Sequence, residues 1–391
     1  MNKFLKYIAA VGITFCFHNL MAQGPVRSGQ AGFTQLLING WGQSSGMANS
    51  NSAGVAGVES FYQNIAGLGK TNGTDLAFSR TAWLVGTNIN ISSFGFAQKI
   101  SESGVLGLSV MSFAIGQIPI TTVEQPDGGL GTYKPSISNI NLGYAYNFGK
   151  GISAGLNFKV ISESTPDVRT GGVALDAGIQ YATNLLGSDA KGSDAKYRSD
   201  NPAALREGDI HFGVSIKNLG PDLKYQGDGL ATKSNIGGKS FTTTTSQRAD
   251  RTQLPSLVNI GFAYDFRLDS KEELYWHRLT AAANFTNNSF SSNQTSVGLE
   301  YAFKEILMFR TGFDYEKDIF NKDLRRNVYT GISFGTSVQF ALGKKIENKK
   351  YRNNASLIAI DYSYRATNPF GGTHTFGIRI KLGSKTEAAA L

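Results

Sequence analysis

The chain has 391 residues, with 38 Lys and Arg against 29 Asp and Glu, a formal charge of +9 and a mean hydropathy of −0.18. Its 46 glycines, 25 phenylalanines and 16 tyrosines beside 9 prolines and one cysteine favour strands over helices, and they point to an all-β chain without a disulfide framework. The basic excess is spread along the chain, which argues against a nucleic-acid partner, and no apolar run approaches the roughly 20 residues of a spanning helix.

Residues 1–22 read as a secretory signal peptide. Lys3 and Lys6 form a positive start, Tyr7 to Phe17 an apolar stretch, and Leu20-Met21-Ala22 a small-residue exit, so cleavage is expected after Ala22. Cys16 would leave with this segment, and the formal charge would fall to +7 (36 basic against 29 acidic residues). Residues 23–74 lack clean alternation, with one helical turn expected over Val58 to Gln63.

From Asp75 onward the side-chain period is two, which is the strand period. The first strands are expected near Asp75 to Arg80, Asn90 to Ile100 and Gly104 to Gly116. In the next, Ile140, Leu142, Tyr144, Tyr146 and Phe148 oppose Asn139, Asn141, Gly143, Ala145 and Asn147; Gly149-Lys150-Gly151 then gives a hairpin-length turn. Beyond it Ile152, Ala154, Leu156, Phe158 and Val160 oppose Ser153, Gly155, Asn157 and Lys159. The pattern continues with apolar series from Val173, Ile210, Val258, Val297, Leu307, Ile358 and Phe376, each set against polar residues, and with strands at His277 to Thr286 and Val328 to Leu342. About 14 segments of about ten residues each have the length that crosses a bilayer at a tilt. The apolar faces often end in aromatics, as in Tyr264-Asp265-Phe266 and Tyr362-Ser363-Tyr364, which matches the girdles of a membrane interface. The expected fold is therefore a transmembrane antiparallel β-barrel over residues 75–382. Because such a lumen is too wide for wall side chains alone to fill, residues 23–74 are read as a hatch or plug, and 383–391 as a tail outside the fold.

An even strand count places both termini on the periplasmic side, which makes Gln117 to Pro135 and Pro221 to Pro255 the longest outer loops. The second, with Thr242 to Thr245 in a row, is expected to be mobile or ordered by a partner. On the inner side, Thr183 to Asp209 contains a tandem Gly-Ser-Asp-Ala-Lys duplication, and Lys344, Lys345, Lys349, Lys350 and Arg352 form a basic run that reads as a solvated turn or a partner patch.

Few constellations suggest chemistry. Gly69-Lys70-Thr71 ends like a phosphate-binding loop, but Asn64 stands where the motif requires glycine. His211, His277 and His374 sit singly with no cysteine and no paired spacing, which argues against a zinc site; His374 with Asp361 is the one conceivable hydrolytic pair. No cofactor is implied, and the chain is not expected to be an enzyme. Lys159, Asp176, Lys217, Asp265, Glu300, Arg310, Asp314, Asp361, Arg379 and Lys381 all fall on the inward face with both signs present. That mixture suggests a salt-bridged, plugged interior or a substrate path, where an ion-selective pore would favour one sign.

One stretch carries a family resemblance. Gly46-Met47-Ala48, then Ser60-Phe61-Tyr62-Gln63-Asn64-Ile65-Ala66-Gly67-Leu68, then Thr81-Ala82-Trp83-Leu84 resembles the G-M-G, Y-W-N-P-A-G-L and T-x-W-L series of the PorV/PorQ family, with Gln63 and Ile65 in place of tryptophan and proline. The resemblance implies a FadL-like barrel of the type IX secretion system, integral to the outer membrane. Such a barrel binds other secretion-system proteins or secreted cargo through outer loops such as Pro221 to Pro255, with Gly46, Met47, Tyr62, Asn64, Ala66, Gly67, Leu68, Trp83 and Leu84 forming the hatch motif. The alternative, from the wider FadL-like fold, is a transporter of hydrophobic small molecules. Apolar occupancy of the lumen would favour that alternative.

Overall fold

In the computed structural model the described residues are 27, 29–183, 210–235, 242–268, 276–342 and 356–383. The signal segment, the tandem duplication and the basic run at 344–352 lie outside them.

Fourteen strands close into one barrel. They are β1 (Thr74–Trp83), β2 (Ile89–Lys99), β3 (Gly104–Ala114), β4 (Ser136–Gly149), β5 (Ile152–Ser164), β6 (Arg169–Thr183) and β7 (Ile210–Leu219). The second half comprises β8 (Leu257–Arg267), β9 (His277–Asn288), β10 (Gln294–Phe303), β11 (Leu307–Glu316), β12 (Tyr329–Leu342), β13 (Ser356–Thr367) and β14 (Thr373–Leu382). Every strand pairs antiparallel with its sequence neighbours, and β1 closes on β14 with Leu76 opposite Ile380. Closure leaves the sheet no free edge, so apart from the bulges near Gly331, Phe148 and Asp176 the wall satisfies its backbone by ladder pairing. The expected alternation and strand positions are borne out.

Its alternation runs opposite to that of a water-soluble protein. Leu156 is 64% exposed while its neighbour Asn157 is fully buried, and Phe376 is 60% exposed while Thr375 is fully buried. Ile140, Leu142, Phe158, Ile179, Val297, Phe309, Phe334 and Ile360 all face out, whereas Asn139, Lys159, Gln180, Ser215, Arg310 and Asp361 are buried inside. An exterior this apolar in water would aggregate, so the solvent it fits is the hydrocarbon of a bilayer.

Tight turns lie at the end where β1 begins and β14 finishes, here called the terminal end. At the β4–β5 turn, Gly149, Lys150 and Gly151 all adopt positive φ (75°, 50° and 84°). A Cβ at Gly151 would fall 1.9 Å from the Ala182 carbonyl oxygen, so only glycine fits that corner. Two long connections, 115–135 and 220–256, lie at the opposite, loop end. Residues 220–256 contain local structure of their own: Leu223–Lys224 pairs with Arg251–Thr252, and Ala231–Asn235 pairs with Thr242–Ser246. The threonine row is thus one strand of a two-stranded antiparallel ladder, where the sequence led to the expectation of a loop that is mobile or ordered only by a partner, because β-branched residues suit an extended ladder.

The N-terminal segment lies inside the barrel and runs down the lumen from the loop end. Gly32 N donates to Gln253 O, and Phe33 stacks on Tyr225, both partners belonging to the loop-end connection. The chain then turns through short helices at Thr34–Leu37, Gly42–Gly46, Gly57–Phe61 and Ile65–Lys70 and leaves at the terminal end into β1. The expected turn at Val58 to Gln63 is the third of these. The start of β1 and the finish of β14 lie on one side, as an even strand count requires, while the described residues that lead into the plug begin on the other. Arg27 lies at the loop end, bonded to Gln253 and with its guanidinium 4.7 Å from the Phe290 ring centroid. Strand parity fixes where strands begin and end; it does not constrain a segment threaded through the lumen.

Candidate functional site

The lumen is where polar side chains, the plug and its entrances converge. Its wall presents glycines at the level where the plug circles it. A Cβ added at Gly335 would sit 3.0 Å from Gly46 Cα; at Gly312, 2.5 Å from the Met47 carbonyl carbon; and at Gly298, 2.2 Å from Ser50 Oγ. The contact continues from Gly261 to Ser52, from Gly213 to Ala53, from Gly178 to Asn64, from Gly155 to Ile65 and from Gly143 to Phe61. The abundance of glycine on the polar faces therefore has a cause beyond strand tolerance: plug backbone lies directly on the wall at Gly335, Gly312, Gly213 and Gly155, plug side chains do so at Gly298, Gly261, Gly178 and Gly143, and any wall side chain there would stand between them.

Several residues of the hatch motif make this contact. Asn64 donates from Nδ2 to the Ile179 and Val214 carbonyls (3.1 and 3.3 Å) and accepts from Ala66 N at 3.2 Å, capping the Ile65–Lys70 turn while pinning it to β6 and β7. Gly67 closes on the Val55 carbonyl, 2.3 Å from where its Cβ would be. Leu68 is wholly buried with Trp41, Val58, Phe61 and Ile65 against Ala77, Ala97, Val105 and Ala145. Tyr62 donates its hydroxyl to Leu37 O at 2.6 Å, and Lys217 Nζ lies 4.3 Å from its ring centroid while donating to Tyr62 O. Met47 and Ala66 are buried, and Gly46 abuts β12. Trp83 and Leu84 stand apart at the loop end of β1, where the Trp83 indole donates to the Tyr329 hydroxyl and Leu84 N to Thr373 Oγ1.

The inward charges form three groups. Toward the terminal end a chain of contacts runs along the wall below the glycines: His211 to Asp265 (3.0 Å), Arg278 to Asp265, Glu300 and Glu305, Glu300 to Arg310 (2.5 Å), Arg310 to Ser337, Ser337 to Asp361, and Asp361 to Arg379 (3.5 Å). Gln43 of the plug donates to Asp361 at 3.3 Å. Nearer the loop end, Lys159 pairs with Asp176 at 2.8 Å and donates to Asn218 Oδ1 at 2.7 Å. Arg365 lies 3.7 Å from Asp314, which also accepts from Ser296. Lys381 is half-buried at the terminal end of β14.

Sequence reading missed Arg278, Glu305 and Arg365, which occupy inward positions of strands or a turn that it did not resolve side by side. It also missed Glu59, a buried plug carboxylate that accepts from Gln43 N, Ser44 N and Ser44 Oγ. Asn218 was missed as well. Its positive φ of 61° bulges the β6–β7 ladder and turns the side chain onto Lys159 and the Pro255 carbonyl. The suggested His374–Asp361 pair does not form, because the two lie on opposite faces of the wall. His374 Nδ1 meets the Tyr362 hydroxyl at 2.9 Å on the outer face, whereas Asp361 points inward. Single-residue alternation decides this, and strand adjacency alone does not. Among the described residues no group of three or more His, Cys, Asp or Glu is placed to hold a metal.

At the loop end the lumen changes character. Over β1 to β4 its wall is apolar: Ile91, Met111 and Phe113 are buried, and Trp83, Ile115 and Ile137 are partly covered, together with Ile38 of the plug. A second apolar group, Phe33, Leu36, Ile161, Ala174, Leu223 and Leu254 with Tyr225, lies under the 220–256 connection. The Thr34–Leu37 turn lies between the two groups. Tyr225 donates to the Glu163 carboxylate at 2.5 Å, and burial, followed by this bond, holds its phenol above the ordinary tyrosine range.

No family model and no curated protein matches the chain. Among solved structures it is similar to the toluene transporter TodX of Pseudomonas putida, at 11% identity over 88% of this chain and 97% of that one, with a TM-score of 0.49. It is also similar to the outer membrane protein Omp33 of Acinetobacter baumannii, at 10% identity over 81% and 100% of the two chains with a TM-score of 0.32, and to the KdgM porin, at 6% over 78% and 97% with 0.29.

Proposed function

We propose that this chain is a non-enzymatic outer-membrane barrel that takes hydrophobic small molecules in at its loop end. The observation that carries the reading is the apolar quadrant formed by Trp83, Ile91, Met111, Phe113, Ile115 and Ile137 at the mouth of a lumen that is polar and ion-paired toward its terminal end. A lumen wall that meets only water gains nothing from such a patch, whereas an apolar solute buried against it gains about 25 cal/mol per Å². The plug residue Ile38 forms part of the patch, so a bound solute would act directly on the segment that fills the lumen. Uptake of a hydrophobic fluorescent solute into vesicles bearing the reconstituted protein tests this. Phe113→Asp and Met111→Asp should each reduce uptake about tenfold, since a charge placed in the patch opposes apolar binding. Uptake equal to that of the unaltered protein in both variants would end the proposal.

A second reading, a barrel subunit of a type IX-like secretion or surface-attachment machinery, is supported by the hatch-motif resemblance and by the structured 220–256 connection as a surface for proteins. Most of the motif is buried in plug-to-wall contacts. It therefore reports how the plug seats, a requirement any barrel plugged in this way would share. Recovery of secretion components with this barrel from solubilised membrane would support this second reading, and recovery of the barrel alone would count against it.

A further inference from the structure

The connection between β11 and β12, residues 317–328, carries the most exposed phenylalanine ring among the described residues. Phe320 is 79% exposed and Leu324 56%, while Ile319 between them and the strand is buried and anchors the turn. The turn is hydrogen bonded along its length, with Ile319 N donating to Glu316 O, Asn321 N to Asp318 O and Arg325 N to Asn321 O. We propose that this loop seats on the lipid leaflet at the loop end, with Phe320 and Leu324 entering the acyl boundary and Lys317 and Lys322 meeting anionic lipid headgroups.

Continuity with the lipid-facing wall identifies the occupant. Phe320 stacks on Phe313 with centroids 6.0 Å apart and planes 12° from parallel. Phe313 points outward from β11 and is opposite Val297 and Ile332, both exposed on the outer face. Phe320 thus extends an apolar row that already faces hydrocarbon. A ring of this size leaving water favours the membrane by about tenfold or more. Charge agrees with this placement: Lys317, Lys322, Arg325 and Arg326 outnumber Asp318 and Asp323, and Lys317 and Lys322 are exposed beside the two apolar side chains. Arg325 is engaged by the Asn368 carbonyl. Basic and aromatic side chains side by side at the headgroup level are the combination that an anionic interface selects.

The inference rests on the barrel lying in a bilayer, and the test separates the two. In full-length protein carrying Cys16→Ser, an environment-sensitive fluorophore is attached at Leu324→Cys, and the protein is placed in bilayer discs whose lipids carry brominated acyl chains. Quenching is expected, and it should rise when anionic phospholipid replaces neutral lipid. The double variant Lys317→Glu with Lys322→Glu should lose that rise, since each basic residue near an anionic leaflet contributes about fivefold. Absence of quenching, quenching indifferent to anionic lipid, or quenching that declines as protein is concentrated (a second copy covering the loop) would each overturn the proposal. The same fluorophore at Phe309→Cys, on the outer wall, should be quenched in every lipid. An unquenched wall label would remove the bilayer reading itself.

Discussion

Replacing Gly312 with alanine should loosen the plug without harming the barrel. The new methyl carbon would stand 2.5 Å from the Met47 carbonyl carbon, 2.6 Å from its oxygen and 2.8 Å from the Ala48 nitrogen. These are backbone atoms, so no rotamer change relieves the overlap, and the two surfaces must separate by about 1 Å to reach ordinary contact. β11 is held on both sides by its ladders, Gly298 opposite Gly312 and Gly312 opposite Ser333, so the plug is the partner that yields. Overpacking of this kind costs about 1–3 kcal/mol, equivalent to about fivefold to a hundredfold in a local opening equilibrium. Hydrogen-exchange mass spectrometry on peptides covering residues 42–52 reads it directly. There Ala48 N donates to Ser45 O at 3.1 Å and Asn49 N to Ser44 O at 2.9 Å. Gly377→Ala is the matched control, because its Cβ would meet Phe78 O at 3.5 Å, Asp361 Cβ at 3.6 Å and Ser79 Cβ at 3.7 Å, all ordinary distances. Plug exchange in Gly312→Ala no faster than in the unaltered protein, or equally accelerated in both variants, would refute the close-approach argument.

Asn64→Ala should also release the plug, since it removes two bonds to wall carbonyls and one cap; a loss of about 1–3 kcal/mol is expected, read as faster exchange over residues 64–71. Arg278→Ala should lower the urea midpoint of the barrel by the equivalent of about 3–5 kcal/mol, because it leaves Asp265, Glu300 and Glu305 without their shared cation, and Arg278→Lys should recover part of the loss. Asn218→Ala should selectively weaken the β6–β7 bulge, leaving Lys159 with Asp176 alone; faster exchange confined to residues 210–219 would show it, and uniform loss across the barrel would contradict it.

The chain by itself determined the wall. Alternation in runs such as Ile140 to Phe148 fixes which side chains face out, because successive residues of a strand point to opposite faces and a one-residue slip would turn all of them. Strand length and aromatic ends then set the number of crossings and the solvent, and the inward position of residues such as Lys159 and Asp176 follows from parity alone. What those inward residues touch is set by the closed fold. Lys159 meets Asn218 through a bulge that no periodicity announces, Arg278 serves three carboxylates from three different segments, and His374 faces away from Asp361. The path of the plug was equally hidden, since residues 29–73 form short turns stabilised by the wall and lack the repeating pattern from which position can be read. Sequence records local geometry and face; contacts between segments far apart in the chain arise when the barrel closes and brings them to the same height in the lumen.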